Sequence, residues 1–178
     1  KKIRDCILVY KMTIGIVLPN TPTKSETFIL SKINLLQNNG YRIIVFGNKL
    51  NGSHHYEMIN HPKICDSKIF QLLKVFLSLL RMLLFYPRMT RKFLKLEKTD
   101  GITLRSRWEN LYLNNHILRQ QMDWIHFGFI TMAVRRENIA ATINAKMAIS
   151  IRGYDISIYP LKYRGCYDRV WGKVDKVH

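Results

Sequence analysis

The stretch that decides the fold is KMAISIRGYD, which runs from Lys146 to Asp155. Its first half is an apolar run that is too short for a helix and is followed by a glycine, a pattern typical of a buried strand in a parallel sheet. The carboxyl end of this strand carries Arg152, Gly153 and Asp155. In open α/β sheets ligands bind at the carboxyl ends of the strands. We therefore predict a functional site there.

The amino-terminal sequence supplies the unit from which such a sheet is built. Apolar runs at Thr13–Pro19 and Tyr41–Gly47 predict two strands, and a helix is predicted between them up to about Asn39. Residues 23–26 fit a capping box at the start of this helix, and Gly40 is placed to end it in the left-handed conformation. Strand, helix and strand in this order predict a right-handed βαβ unit.

The rest of the chain continues the alternation of strands and helices. The predicted elements are a helix at Arg107–Gln121, a strand at Asp123–Gly128, a helix at Ile130–Asn144, a connecting helix or turn at Tyr163–Lys173 and an opening strand at Val174–His178. Because no repeat or Ser/Gly-rich linker interrupts the pattern, we predict one Rossmann-like domain over residues 12–178, with an open, mostly parallel sheet flanked by helices. We expect residues 1–11 to be a leader or an added strand, with Met12 as a candidate natural start.

Composition and charge narrow the class of protein. The 178 residues are 47% hydrophobic and 23% charged, as in ordinary folded proteins. The 29 Lys and Arg residues outnumber the 12 Asp and Glu residues and give a net charge of +17, which predicts an anionic partner. Cys6, Cys65 and Cys166 are widely spaced and odd in number, so we expect no disulfide framework and a cytoplasmic location.

One segment, residues 67–98, predicts contact with a membrane. Between Ser67 and Tyr86 the polar residues recur at spacings of three, four and three in an otherwise apolar helix: Gln71, Lys74, Ser78 and Arg81. Its two interior charges argue against a spanning helix. A basic cluster follows: Arg88, Arg91, Lys92, Lys95 and Lys98. Together with Lys74 and Arg81, these cations favour peripheral binding to an anionic leaflet. The alternative is a helix packed in the core or against a partner, with a solvated basic loop.

Other familiar sites are not indicated. The polar stretch Asn48–Asp66 is predicted to be a loop, and the spacing of His54, His55, His61 and Cys65 matches no known zinc pattern, so we predict no metal site. The sequence has no glycine-rich dinucleotide loop, Walker loop or nucleophile elbow, and we expect no cofactor in this chain. A basic nucleic-acid-binding module remains an alternative, but its sequence signatures are missing and we expect no nucleic acid.

Four motifs in order carry a family resemblance: Ile16–Pro19 with Ser25–Ile29, Trp124–Gly128, Ile151–Ile156 and Val174–His178. Together they resemble the amino-terminal half of a bacterial GT-B fold glycosyltransferase of the large retaining "group 1 / family 4" type, over about Thr13 to His178. Many members serve capsular, exopolysaccharide or lipopolysaccharide synthesis.

The resemblance implies a two-domain enzyme. This half would bind a polysaccharide or lipid-linked acceptor, and a second Rossmann-like half, which has no counterpart in the sequence, would bind the nucleotide sugar. The chain alone would then be inactive, and the complete enzyme would work at the inner face of the plasma membrane. The alternative is a partner or regulatory subunit that completes a separate catalytic chain.

The resemblance also implies functional residues. The implied acceptor-binding residues are Ser25, Glu26, Thr27, His126, Gly128, Gly153 and Asp155. Arg152 stands where the family commonly has a histidine that faces the donor sugar, so it is the candidate catalytic residue. Arginine stays protonated and cannot be a general base, but it can stabilise a leaving phosphate or hold an anionic acceptor. Each of these residues also has a structural alternative. Arg152 could pair with Asp155, Asp155 could cap a turn, and His126 could be a hydrogen-bonded structural residue. For Glu26 we favour the structural role, as a member of the capping box.

Overall fold

A computed structural model of the chain describes residues 10–22, 27–49, 55–63 and 65–178. Its centre is a sheet of six strands, all parallel, in the order β3-β2-β1-β4-β5-β6. The strands are β1 (Thr13–Asn20), β2 (Arg42–Asn48), β3 (Glu57–Ile59), β4 (Trp124–Phe127), β5 (Lys146–Ile149) and β6 (Lys176–Val177). The predicted Rossmann-like α/β fold is confirmed.

Helices cover the two faces of the sheet unequally. They are α1 (Thr27–Asn38), α2 (Lys68–Phe85), α3 (Pro87–Thr99), α4 (Leu104–Leu118), α5 (Ile139–Ile143), α6 (Gly153–Ser157), α7 (Tyr159–Lys162) and α8 (Asp168–Trp171). On one face α1 buries Ile29 and Ile33 against β1 and β2. On the other face a larger core contains Met82 of α2, Phe93 of α3 and Leu111 of α4. Because successive side chains of a strand point to opposite faces, β1 contributes to both cores.

The amino-terminal βαβ unit agrees closely with its prediction. Both strands are buried through their centres, and the helix places Ile29 and Ile33 inward. Gly40 has a φ of 82°, which is the left-handed conformation expected of a residue that ends a helix. Residues 23–26, the predicted capping box, lie outside the described residues. So do residues 1–9 of the predicted leader, and the assignment of residues 12–178 to one domain stays a prediction.

Two predictions of secondary structure were wrong. The stretch Asn48–Asp66 was predicted to be a loop, but it contains β3, which pairs in parallel with β2. The helix predicted at Ile130–Asn144 is instead a 3-10 turn, Ile130–Ala133, followed by the short α5. Between them Arg135 adopts a φ of 65°, which a continuous helix does not allow.

Contacts with α4 explain the interruption at Arg135. Its Nε donates to Oδ1 of Asn110 at 2.8 Å, and Nδ2 of Asn114 donates to its carbonyl at 2.9 Å. These tertiary bonds hold Arg135 in a conformation that its local sequence does not favour. The helix α4 itself begins a few residues earlier than predicted, where the Thr103 hydroxyl accepts from the backbone N–H of Ser106 at 3.3 Å.

The segment predicted to be one basic amphipathic region is a bent pair of helices. The axes of α2 and α3 differ by 111° at a break around Tyr86. Pro87 opens α3, where its missing N–H costs no helix hydrogen bond. Within the described residues no single helix is long and apolar enough to cross a bilayer, whereas α2 and α3 taken together have the length and composition to do so.

Candidate functional site

The candidate site is a cavity of about 300 Å³ at the carboxyl ends of the strands, on the face of the sheet that α1 covers. The sheet register places its central residue, because His126 of β4 lies beside Ile16 of β1 and Ala148 of β5. These three side chains therefore share one face. The polar side chains of the cavity are those of Lys32, His126, Ser150, Arg152 and His178. Ile16 and Leu18 also line the cavity, so residues of all four family-like motifs meet in one place.

His126 is held by hydrogen bonds on both ring nitrogens. Nζ of Lys32 lies 2.9 Å from Nδ1, and Oγ of Ser150 lies 2.9 Å from Nε2. An ammonium group can only donate, so Nδ1 accepts and the proton resides on Nε2, which donates to Ser150. Burial, followed by the charges of Lys32 and His178, lowers the pKa of His126 to about 3. His126 is therefore neutral near pH 7 and positions the ammonium of Lys32 and the hydroxyl of Ser150.

The cavity concentrates positive charge. Burial and the nearby Lys176 lower the pKa of Lys32, which lies on α1. Burial, Lys32 and Lys176 lower the pKa of His178. The ring centroid of His178 is 5.5 Å from that of His126. None of the described residues that line the cavity is acidic. An anion entering the cavity would relieve the repulsion between these groups.

Arg152 is held over aromatic rings. The guanidinium carbon lies 3.8 Å from the ring centroid of Phe28 and 4.9 Å from that of Phe129, which are cation–π distances. Its Nε is buried and makes no hydrogen bond in the described structure. A buried donor without an acceptor is costly unless a ligand supplies one. Arg152 thus offers a charged, oriented donor to the cavity.

Asp155 points away from this cavity. It is 2% exposed, and its Oδ2 accepts the backbone N–H of Arg152 at 3.1 Å, which caps the first turn of α6. The turn-capping role considered from the sequence is therefore present. The side chain also lines a second cavity of about 250 Å³, together with Tyr167 and Trp171. Burial and the nearby Asp155 raise the pKa of Tyr167.

The other predicted site residues fall in different places. Gly128 lines the first cavity, and its N–H donates to the carbonyl of Val17 at 3.0 Å. Gly153 begins α6 and Thr27 begins α1, and both are exposed. Ser25 and Glu26 lie outside the described residues. The structure therefore brings together Arg152, His126 and Gly128 but not the whole predicted set.

Sequence reasoning missed Lys32 and Ser150 and did not name His178 as a site residue. Lys32 is four residues after Phe28 and three after Ile29, a spacing that places all three on one side of α1. Ser150 directly follows β5, and Arg152 comes two residues after Ser150. His178 directly follows β6. Helical periodicity could thus have identified Lys32, and position after a strand could have identified Ser150 and His178.

Within the described parts of the chain, no group of three His, Cys, Asp or Glu side chains is arranged to hold a metal ion. Two histidines near β1 instead bond to each other, with Nδ1 of His61 3.1 Å from Nε2 of His116. His61 Nε2 donates to the carbonyl of Leu18 at 2.8 Å, so the Nε2 proton of His116 is donated to His61.

The sequence matches no protein-family model and no curated protein.

Proposed function

We propose that this chain is the acceptor-binding half of a glycosyltransferase, which transfers a sugar from a nucleotide sugar to a polysaccharide or lipid-linked acceptor in cell-surface polysaccharide synthesis. The observation that carries the proposal is the cationic cavity at the carboxyl ends of β1, β4, β5 and β6. In this proposal a second Rossmann-like half binds the nucleotide sugar. Cys65 and Cys166 are free thiols, which supports a cytoplasmic location.

In this proposal the cavity binds the phosphate or pyrophosphate of the acceptor. Arg152 and Lys32 would donate to phosphate oxygens, and Ser150 would add a neutral hydrogen bond. A guanidinium group is not a general base, and His126 has both ring nitrogens in hydrogen bonds, so neither residue would accept a proton from the acceptor. Their contribution would be electrostatic, since charge that develops on the acceptor or leaving phosphate is stabilised by donors already in position.

The second cavity suits the sugar part of the acceptor. Tyr167 and the half-exposed Trp171 line it, and the ring of Tyr159 stacks on that of Tyr167 with 5.7 Å between the ring centroids. Aromatic rings of this kind combine a flat apolar surface with a polar edge. Sugar rings, which carry apolar C–H faces and polar rims, have the complementary character.

Titration with inorganic pyrophosphate tests the anion site. Loss of one charge-assisted hydrogen bond typically weakens binding by about 10-fold to 100-fold, so Arg152→Gln and Lys32→Gln should each raise the dissociation constant by that factor. Lys162→Gln removes an exposed cation outside the cavity and serves as the matched control. Equal affinities of the wild type and both cavity variants in isothermal titration calorimetry would rule out this site.

Competition tests the acceptor role separately. A sugar linked to a short prenyl pyrophosphate should displace pyrophosphate and bind more tightly than pyrophosphate itself, because it would also contact the aromatic rings. Trp171→Ala should remove this advantage and leave the affinity for free pyrophosphate unchanged, because Trp171 lines the second cavity and not the first. If the sugar-bearing compound bound no better than pyrophosphate, the cavity would be an anion site and the acceptor proposal would fail.

A further inference from the structure

Helix α2 carries its apolar side chains on the outside of the molecule. Of its eighteen residues, Met82 alone is buried. Exposed apolar side chains recur along the helix at spacings of four, four, three and four: Ile69, Leu73, Leu77, Leu80 and Leu84. Ile69 is 79% exposed and Leu84 is 64% exposed. A continuous apolar surface of this kind on a folded chain marks an interaction site.

The side of α2 that faces the protein carries polar residues beside the buried Met82. Gln71 donates from Nε2 to the Tyr112 hydroxyl at 3.1 Å and accepts the backbone N–H of Cys65 at 3.0 Å. Ser78, two turns later, lies on the same less exposed side. A helix on a water-facing surface has the opposite arrangement, with polar residues outside. The outer face of α2 is therefore suited to apolar surroundings.

Helix α3 adds a cationic surface next to this apolar one. Its exposed cations recur at spacings of three, four and three, which places them on one face: Arg88, Arg91, Lys95 and Lys98. The opposite face of α3 buries Phe93 and Glu97 in the protein. Lys74 and Arg81 on α2 are also exposed. Every residue from 68 to 98 is described, and the acidic residue among them, Glu97, is buried, so all exposed charge in this segment is positive.

The two surfaces are held in a fixed relation. The hydroxyl of Thr90 in α3 donates to the carbonyl of Met82 in α2 at 3.0 Å across the 111° bend. Glu97 anchors α3, because it accepts from Nδ2 of Asn110 at 2.7 Å and from Nδ2 of Asn138 at 2.9 Å. The cations of α3 thus keep their position beside the apolar face of α2.

We propose that α2 lies in the interface of an anionic lipid bilayer, with its outer face among the acyl chains and the cations of α3 against the headgroups. A bilayer fits both surfaces. Its anionic headgroups are complementary to the exposed cations of α3, and its acyl chains are complementary to the aliphatic side chains of α2. Lys74 and Arg81 extend from α2 beside its apolar face and can reach the headgroups by snorkelling. Lys92 donates to Oδ1 of Asn144 and lies outside the exposed cation face. This proposal does not depend on sugar transfer, because the binding test contains neither donor nor acceptor.

Sedimentation of the 178-residue chain with lipid vesicles tests the proposal. We expect strong binding to vesicles of phosphatidylcholine with an equal part of phosphatidylglycerol, and weak binding to phosphatidylcholine alone. Raising the salt from about 0.1 M to about 1 M shortens the screening length from about 10 Å to about 3 Å and should weaken the binding.

Substitutions separate the two surfaces. Replacement of Arg88, Arg91 and Lys95 by Gln should reduce partitioning into anionic vesicles by about 100-fold, given the usual contribution of each cation near a charged bilayer. The control variant replaces three exposed cations elsewhere, Lys63, Lys162 and Arg164, by Gln and has the same net charge. It should bind nearly as the wild type does.

The apolar face has its own variant and control. Leu73→Ser with Leu80→Ser should weaken vesicle binding without lowering the unfolding temperature, because neither side chain is buried. The control, Ile156→Ser with Leu161→Ser, removes two exposed apolar side chains from the α6–α7 region. The chain has three tryptophans of its own, so the probe is an additional one, Leu77→Trp. Brominated acyl chains should quench more of the fluorescence of this variant than of the wild type, which would place residue 77 below the headgroups.

Three outcomes would overturn the proposal. The first is failure of the wild type to bind anionic vesicles. The second is binding that the Leu73 and Leu80 substitutions leave unchanged, since headgroup attraction alone would then account for it. The third is concentration-dependent dimerisation in analytical ultracentrifugation that the same substitutions abolish while vesicles bind nothing, which would assign the face to a second copy of this chain.

Discussion

Acidification should destabilise the chain through two buried histidines. His116 is 4% exposed and His126 is 6% exposed. Burial, together with neighbouring positive groups, lowers the pKa of each to about 3. In the unfolded chain a histidine has a pKa near 6.5, so below about pH 6.5 the unfolded state binds more protons than the folded state does. The stability that these two histidines contribute is therefore fully present above that pH and is lost as the pH falls toward about 3.

The size of the effect follows from the two pKa values. At about pH 5.5 an unfolded histidine is about 90% protonated, while both folded imidazoles remain neutral. Each histidine then loses about 1.4 kcal/mol of stability relative to about pH 7.5, and the pair loses about 3 kcal/mol. The result does not depend on the exact folded values, because any folded pKa well below 5 gives nearly the same difference.

Urea denaturation followed by tryptophan fluorescence measures this loss. His116→Gln and His126→Gln should each reduce the difference in unfolding free energy between about pH 7.5 and about pH 5.5 by about 1.4 kcal/mol. His61 and His178, whose pKa values are also lowered, contribute to the difference that remains. His55→Gln changes an exposed histidine and should leave the difference intact. Burial raises the pKa of Glu137, which acts in the opposite direction, but this contribution cancels between the wild type and each variant. A pH difference that both variants retain in full would refute the reasoning.

Three substitutions test the packing around the site and under the bent helix pair by the free energy of unfolding. Gly128→Ala should cost about 1 to 3 kcal/mol, because the new Cβ would overlap a buried leucine side chain of β1. Phe93→Ala should cost about 3 to 5 kcal/mol, because the ring is completely buried in the larger core. Glu97→Ala should cost about 2 to 4 kcal/mol, because the amide of Asn110 loses its acceptor and that of Asn138 loses one of its two, and Glu97→Gln should recover part of the loss. In each case a change below about 0.5 kcal/mol, which is usual at unconstrained surface sites, would contradict the contact described.

The sheet could be predicted from the sequence because its strands are apolar and bounded. The run from Thr13 to Pro19 and the run beginning at Lys146 are short, buried and followed by residues that end strands. β3 escaped prediction because Glu57–Ile59 is three residues long and carries a charge, so its pairing depends on the neighbouring β2. The interruption at Arg135 depends on side chains of α4 that are more than twenty residues away, and local periodicity does not contain that information.

The candidate site was predicted in part for the same reason. His126 lies near the end of β4 and Arg152 lies three residues after the end of β5, and the topology of the sheet brings such positions together. Lys32 comes from a helix, and its orientation toward His126 could be inferred from spacing only once the facing strand was known. Arg152 and Asp155 line different cavities because α6 begins between them, at Gly153. Their spacing of three residues in the sequence does not show where this helix begins.

The central pair of strands has a consequence for how the chain folds. β1 and β4 are neighbours in the sheet, and the backbone N–H of Thr13 donates to the carboxylate of Asp123, a contact that spans 110 residues. Contacts between distant parts of a chain slow folding, because the entropy of closing the intervening loop must be lost before they form. During synthesis β1 therefore lacks its β4 neighbour until α2 to α4 have been made. The apolar face of α2 emerges in that interval, when incomplete chains are most prone to aggregate.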